Sequence, residues 1–241
     1  MCWRHEVCSG SSSSYVVQGC LPNRSKRSRP IKLTSSSYGR FTRIMRAKGE
    51  GRGRKRGVEV LNRSAIIFVT ACWESYIEDL AVEAFDFLLA NATSAVNIPN
   101  KVKSLAVKDI NGHQNPLMLW GLSDNGWRAI LLNHKQDVYD KWLGKFNTPK
   151  SEQVDGLYQE MLGVGSLSSH WKWRKMPSAQ ATARLDNYIT IRGNIAHRIR
   201  DAKPVDKNTG SRYLNHVSQI VDRCEIAVEA HLLAQTGVVP W

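Results

Sequence analysis

The chain of 241 residues is long enough for one substantial domain with an appendage, and its 42% apolar content can furnish a buried core. No apolar run approaches the roughly 20 residues that cross a bilayer, because Glu74, Glu78, Asp79, Glu83 and Asp86 interrupt the greasiest segment, so no membrane role is expected. The net charge of +13 points to nucleic acid until it is divided along the chain: residues 1–57 hold 14 Lys and Arg against 2 Asp and Glu, whereas the 184 that follow hold 20 against 19.

The basic leader, residues 1–57, contains SGSSSS, SKRSRP, TSSSYGR and GEGRGRKRG with almost no apolar periodicity, which is the composition of disorder. Three readings of it stand open: a basic arm that tracks phosphates, an Arg- and Ser-rich organelle-targeting peptide, or an upstream extension with translation beginning near Met45. A secretory signal is not expected, since the N-terminus lacks a long apolar stretch. Cys2, Cys8 and Cys20 lie in the leader, and Cys72 and Cys224 fall in apolar helical surroundings as packing residues. Their odd number and the lack of any C-x-x-C or Cys/His cluster predict a reducing, cytoplasmic setting with no metal and no cofactor.

A domain is expected over residues 58–237. From Val58 the apolar residues Leu61, Ala65, Phe68, Cys72, Tyr76, Leu80, Ala84 and Phe87 recur at spacings of three and four, which predicts one long helix to Ala90 and a core face along those residues. A short helix follows from Asn100, as N-cap, to Asp109, then the loop INGHQNP. Ser123-Asp124 opens a helix carrying Trp127, Ile130, Leu131, His134, Val138 and Trp142 on one side. Ser151 is expected to cap the next, with Val154, Leu157, Tyr158, Met161 and Leu162 inward, until GVGS breaks it at Gly163. After LSSHWKWRKMP, Ser178 caps a helix to about Arg200; DAKPVDKNTGS reads as a loop, and a last helix runs from about Arg212 to Thr236, stopped by Gly237. With no internal repeat and no strand alternation, the expected fold is an all-α, up-and-down helical bundle.

The helix from Ser178 contains an anomaly. Leu185, Tyr188, Arg192, Ile195 and Ile199 keep a three-four spacing, so a cation stands where the apolar stripe calls for a greasy side chain. At 100 degrees per residue, Ala196 lies about 40 degrees from Arg192, Gly193 about 100 and His197 about 140. Within the stretch IRGNIAHR, only the two smallest side chains separate the arginine from the histidine, leaving a shallow notch. Gly193 costs roughly 1 kcal/mol in a helix relative to alanine, which close approach by another backbone or a ligand would offset. Asn194 points elsewhere, near Arg198, where it is placed to bond a loop or a neighbouring subunit.

A purely structural reading is open: Arg192 pairs with a carboxylate such as Glu74 or Asp186, and His197 is an ordinary interface histidine. Spacing does not decide the matter. Chance supplies about two Arg-to-His pairs of this kind in such a composition, and two occur, RGNIAH and RAILLNH. In the second, bulky Leu131 fills the arc between Arg128 and His134 and leaves no notch. Trp171 and Trp173 could stack on bases, although packing is the simpler expectation, and His113, His134 and His170 have no metal-ligand spacing.

The run LDNYITIRGNIAHRI resembles the signature helix of the HEPN superfamily, an arginine followed after four to six residues by a histidine. LNRSAIIFVTACWESYIEDL is similar to the first long helix of the RiboL-PSP type of HEPN domain, with its aromatic-Glu-x-Tyr-x-x-x-Leu pattern, and HWKW before the motif helix fits the same group. The resemblance spans about Val58 to Gly237. In one respect the sequence departs from it: many members carry a polar residue directly after the arginine, whereas here Gly193 stands there and Asn194 follows.

The resemblance implies a metal-independent endoribonuclease acting as a homodimer, with catalytic Arg192 and His197 and supporting Gly193 and Asn194. The residue types suit that chemistry. Cleaving RNA through its own 2′-hydroxyl needs a base for that proton, an acid for the leaving 5′-oxygen and positive charge on the phosphorane. A histidine carries either proton near neutrality, and an arginine supplies fixed charge and planar donors. One chain offers one such pair, so a twofold dimer would supply the second proton carrier. The implied partners are RNA, a second copy and, in a toxin or host-defence setting, a cognate antitoxin or inhibitor. Two other readings compete: a non-catalytic helical dimer that binds RNA or a protein, and a binder whose affinity resides in residues 24–56.

Overall fold

The computed structural model describes residues 58–108, 122–142, 146, 148–197 and 205–241. The leader, Asp109, the 110–116 loop with His113, and Arg198, Ile199 and Arg200 lie outside them. Among the described residues there are six α-helices and no strand: α1 (Val58–Asn91), α2 (Asn100–Ala106), α3 (Gly126–Trp142), α4 (Ser151–Leu162), α5 (Ser178–Ala196) and α6 (Lys207–Thr236). Short 3-10 turns at Ala95–Asn97 and Ser168–His170 join them. The all-α expectation holds. No helix among the described residues is long and apolar enough to cross a membrane.

Cross-helix hydrogen bonds fix the directions. Asn62 donates to the Val205 carbonyl at 3.0 Å, Thr70 meets Tyr213 at 3.0 Å and Tyr76 donates to the Val221 carbonyl at 3.3 Å, so α1 and α6 run parallel. The ring of His216 bonds the Ala181 carbonyl at 2.9 Å while Tyr188 stacks on Tyr213, which makes α5 antiparallel to α6. Arg128 bonds the Ala92 carbonyl and Lys135 pairs with Asp86, so α3 is antiparallel to α1; Trp73 reaches Pro149 and Tyr158 reaches Ile77, so α4 is parallel to it, and α3 to α6 alternate in direction as an up-and-down bundle requires.

The core corrects the expected phase of α1. Its buried line is Ile66, Val69, Trp73, Ile77, Leu80, Ala84 and Leu88, whereas Phe68 is 62% exposed and Cys72, Tyr76 and Phe87 are only half-buried. This helix is apolar on most of its circumference, so two ladders of three and four compete, and the one carrying Trp73 is selected by what it packs against. The Trp73 indole meets Trp171 edge-on at 5.8 Å and donates to the Pro149 carbonyl at 3.0 Å. Trp171 is itself fully buried and donates to the Cys224 sulfur at 3.1 Å, which removes it as a base-stacking platform. Burial pushes the thiol of Cys224 above its ordinary range, as it does that of Cys72, in keeping with packing rather than nucleophilic roles.

Helix ends differ from expectation in instructive ways. Asn100, Ser151 and Ser178 are first helical residues and not caps; Pro99, Lys150 and Pro177 precede them in extended conformation. Helix α2 stops at Ala106. The last helix starts five residues earlier than expected, because Asp206 caps it by accepting from the Thr209 N–H at 2.6 Å, so KNTGS is helical and not loop. Gly163 and Gly237 end α4 and α6 in the left-handed conformation, as expected.

Candidate active site

Within α5 the buried residues are Ala181, Leu185, Tyr188 and Ile189, which hold the helix against the core over its first three turns. Over the last turn and a half burial falls off: Arg192, Gly193, Asn194 and Ile195 are half-buried, Ile195 still packing on the core, and Ala196 and His197 are exposed. The α-helix runs to Ala196, with His197 as C-cap, its backbone N–H bonded to the Gly193 carbonyl at 3.0 Å, and the rest of the stretch expected to reach Arg200 lies outside the described residues. The notch expected from the sequence therefore opens to solvent at a helix end.

Arg192 lies where α1, α5 and α6 meet. One turn before it, the Tyr188 ring stacks on Tyr213 of α6 at 4.3 Å with planes 21° apart, and the Tyr213 hydroxyl shares a 3.0 Å hydrogen bond with Thr70 of α1. Burial raises the Tyr213 phenol well above its ordinary range, with the Thr70 bond and the charge of Arg192 pulling the other way. Glu74, one turn after Thr70, is half-buried; burial pushes its carboxyl up and Arg192 opposes that shift. The arginine makes no hydrogen bond or ion pair with another described residue, and none of its nitrogens is sealed from solvent. Of the two carboxylates considered as partners, Asp186 is committed to Ser151, and Glu74 feels the charge of Arg192.

The second Arg-to-His pair serves as an internal control. Arg128 donates to the Leu89 and Ala92 carbonyls and lies over the Trp127 ring at 4.3 Å, while His134 is buried and bonds the Glu160 carbonyl at 2.9 Å. Both members are consumed by the fold. Neither Arg192 nor His197 is, among the described residues, and that difference singles them out. Gly193 adds to the contrast: a Cβ built there meets nothing among the described residues within 4 Å, so their packing gives no reason for a glycine. Asn194 likewise bonds no described residue; Arg198 lies outside them.

A family model described as RiboL-PSP-HEPN matches residues 43–230. The chain belongs to the RiboL-PSP type of the HEPN family. HEPN domains often dimerise and bind RNA, and many are ribonucleases. No match was found among curated proteins or among solved structures. Against the HEPN signature, the structure places Arg192 and His197 on one solvent-facing helix end, and it adds Tyr188, Tyr213 and Thr70 as the scaffold around the arginine. The sequence offered a partial signal for that scaffold, the one-turn column Tyr188 and Arg192, but nothing in it pointed to Tyr213 or Thr70, which sit on other helices. Trp173 of the HWKW segment is half-buried, its ring 5.4 Å from that of His216, and therefore packs on the bundle.

Proposed function

We propose that this HEPN protein is a metal-independent endoribonuclease that cleaves single-stranded RNA by attack of the 2′-hydroxyl, at a site completed by a second copy of the chain. The observation that carries the reading is that Arg192 and His197 stand uncommitted and accessible at the end of the motif helix, while the other Arg/His pair of similar spacing is consumed in packing. In this mechanism one histidine takes the 2′-hydroxyl proton as the oxygen attacks phosphorus. A second histidine, from the other copy, protonates the departing 5′-oxygen, and the guanidinium groups hold the charge of the phosphorane. The products are a 2′,3′-cyclic phosphate and a free 5′-hydroxyl.

Residues 1–57 act in this proposal as a basic leader ahead of the catalytic domain at 58–237. Cutting of RNA in the cytoplasm fits a toxin or host-defence role, in which a cognate antitoxin or inhibitor keeps the site silent. The test is incubation of the purified protein with single-stranded RNA in chelator, followed by analysis of the ends. Cyclic phosphate termini are expected, and His197→Ala and Arg192→Ala are each expected to abolish them with helicity and dimerisation intact. Undiminished cleavage by His197→Ala discards the mechanism. A non-catalytic dimer that binds RNA or a protein is the second reading, favoured by glycine rather than a polar residue after Arg192; RNA retained without cleavage would select it.

A further inference from the structure

The charge after residue 57 is balanced in number, 20 Lys and Arg against 19 Asp and Glu, but the fold sorts it by flank. Glu78, Asp79 and Glu83 of α1 line a hollow with Tyr139 of α3, and Asp86 pairs with Lys135. From Gly163 to His197, by contrast, the chain carries five basic residues, Lys172, Arg174, Lys175, Arg184 and Arg192, and one carboxylate. That carboxylate, Asp186, is turned to α4 and bonded to Ser151.

These cations border one seam, between α5 and α6. Tyr188 of α5 stacks on Tyr213 of α6 at 4.3 Å. One turn to either side of Tyr188 stand Arg184, exposed, and Arg192, half-buried, about 12 Å apart along the helix at a rise of 1.5 Å per residue. Arg212, next to Tyr213, flanks the stack from α6; its pair with Asp206 is 3.8 Å long with both side chains mostly exposed, a contact that solvent screens and a phosphate can replace. Further along α6, the Trp173 ring lies 5.4 Å from that of His216, and Arg223 Nε donates to the Lys172 carbonyl at 3.1 Å, so the turn at 173–176 is held against the same helix. Trp173 and Met176 exchange backbone hydrogen bonds of 3.0 and 2.9 Å across that turn, and Arg174 and Lys175 stand exposed at its tip. Arg174, Lys175 and Arg184 make no hydrogen bond or ion pair with another described residue. The row of unspent cations therefore ends, at one side, on the arginine of the motif helix.

Resting on the ribonuclease reading, we propose that this seam is the track on which single-stranded RNA lies, its phosphates on the Arg174 and Lys175 tip, Arg184 and Arg212, so that the strand is led to Arg192 and His197. Contacts of this kind position a strand without reading its bases, and Arg184 is a substrate-positioning residue, one turn from the tyrosine stack that carries Arg192.

The full chain tests this with a 2′-O-methyl oligonucleotide, which lacks the attacking hydroxyl and so reports binding alone. Arg184→Ala and Arg174→Ala are each expected to weaken binding about threefold to tenfold and to flatten the plot of log affinity against log salt by about 0.7, the single-strand value for one phosphate contact. Lys101→Ala, which removes the same charge from an exposed position on α2, is expected to change neither. In cleavage kinetics, Arg184→Ala should raise KM by a similar factor with kcat within about twofold, because the contact is equal in ground and transition states. Arg184→Lys, which keeps the charge, should recover most of the loss. Seam variants that bind no more weakly than Lys101→Ala overturn the proposal, and that result would place the affinity in residues 24–56. A wild-type chain that binds no oligonucleotide overturns it too. A chain that loses binding on substitution at the seam but cuts no RNA removes the nuclease reading and upholds the track.

Discussion

The carboxylate of Asp186, in the middle of α5, caps α4: it accepts from the Ser151 backbone N–H at 2.9 Å and from the Ser151 hydroxyl at 2.8 Å. A residue type expected to cap its own helix is instead the first residue of that helix, and the capping oxygen arrives from a neighbour. The bond also tethers the helix that carries Arg192, because Asp186 lies six residues before it. Asp186→Ala should therefore cost about 1–2 kcal/mol, the scale of a lost N-cap, and urea unfolding measures it. Asp186→Asn, which keeps one acceptor oxygen, should lose less. An unchanged midpoint in both variants would show that the tether contributes nothing.

Gly163 ends α4 at φ 73°, and a Cβ built there would sit 2.5 Å from the Pro99 Cβ. Two costs add at Gly163→Ala: left-handed backbone, at roughly 1–2 kcal/mol for a residue with a side chain, and a clash with a rigid ring just before α2. The variant should unfold well below the parent in a thermal melt. Asn, which tolerates the backbone better, would still meet Pro99, so a near-native Asn variant would mean that the α2 segment yields.

Much of this fold was legible because its punctuation is chemical. Gly163 and Gly237 stop helices where left-handed backbone is needed, and the inward residues of α4, Val154, Leu157, Tyr158, Met161 and Leu162, follow from spacing alone. The phase of α1 was not legible, since Phe68 and Val69 make equally good periodic ladders and only the Trp73 contacts with Trp171 and Pro149, distant in sequence, choose between them. Asn208, Thr209 and Gly210 read as a loop because turn-forming residues also suit helix N-termini, and the deciding group is the side chain of Asp206. At the site, the sequence supplies Arg192 and His197 on one helix and names Glu74 as a candidate partner. The Tyr188, Tyr213 and Thr70 assembly depends on three helices meeting, which no local pattern encodes.

Two histidines make stability depend on pH. Burial lowers the pKa of His216, whose Nε2 donates to the Ala181 carbonyl, and burial likewise lowers that of His231, bonded to the Leu162 carbonyl. A depressed histidine is neutral in the fold and protonates more readily once unfolded. Its contribution is thus complete above the unfolded pKa of about 6.5 and is lost as pH falls from there toward the folded value. The melting temperature should drop between about pH 7 and 5. His216→Gln, whose amide can still donate to Ala181, should make that drop shallower; an identical slope would mean that other groups govern the acid limb.

Gly193 separates the packing of one chain from that of two. No described residue lies within 4 Å of a Cβ at that position, so alanine there meets no clash with them and should stabilise the isolated domain by up to about 1 kcal/mol through helix propensity. If a second copy packs against the notch, the added methyl overfills that contact. Overpacking of roughly 1–3 kcal/mol corresponds to self-association weaker by about fivefold to a hundredfold, and cleavage should fall with it. The expected signature of Gly193→Ala is therefore a split: a higher melting temperature at concentrations where the protein is monomeric, with weaker dimerisation by sedimentation and slower RNA cleavage. A variant that is more stable and equally dimeric and active would show that the partner does not approach at Gly193, and the second proton carrier would then have to reach the site from another face.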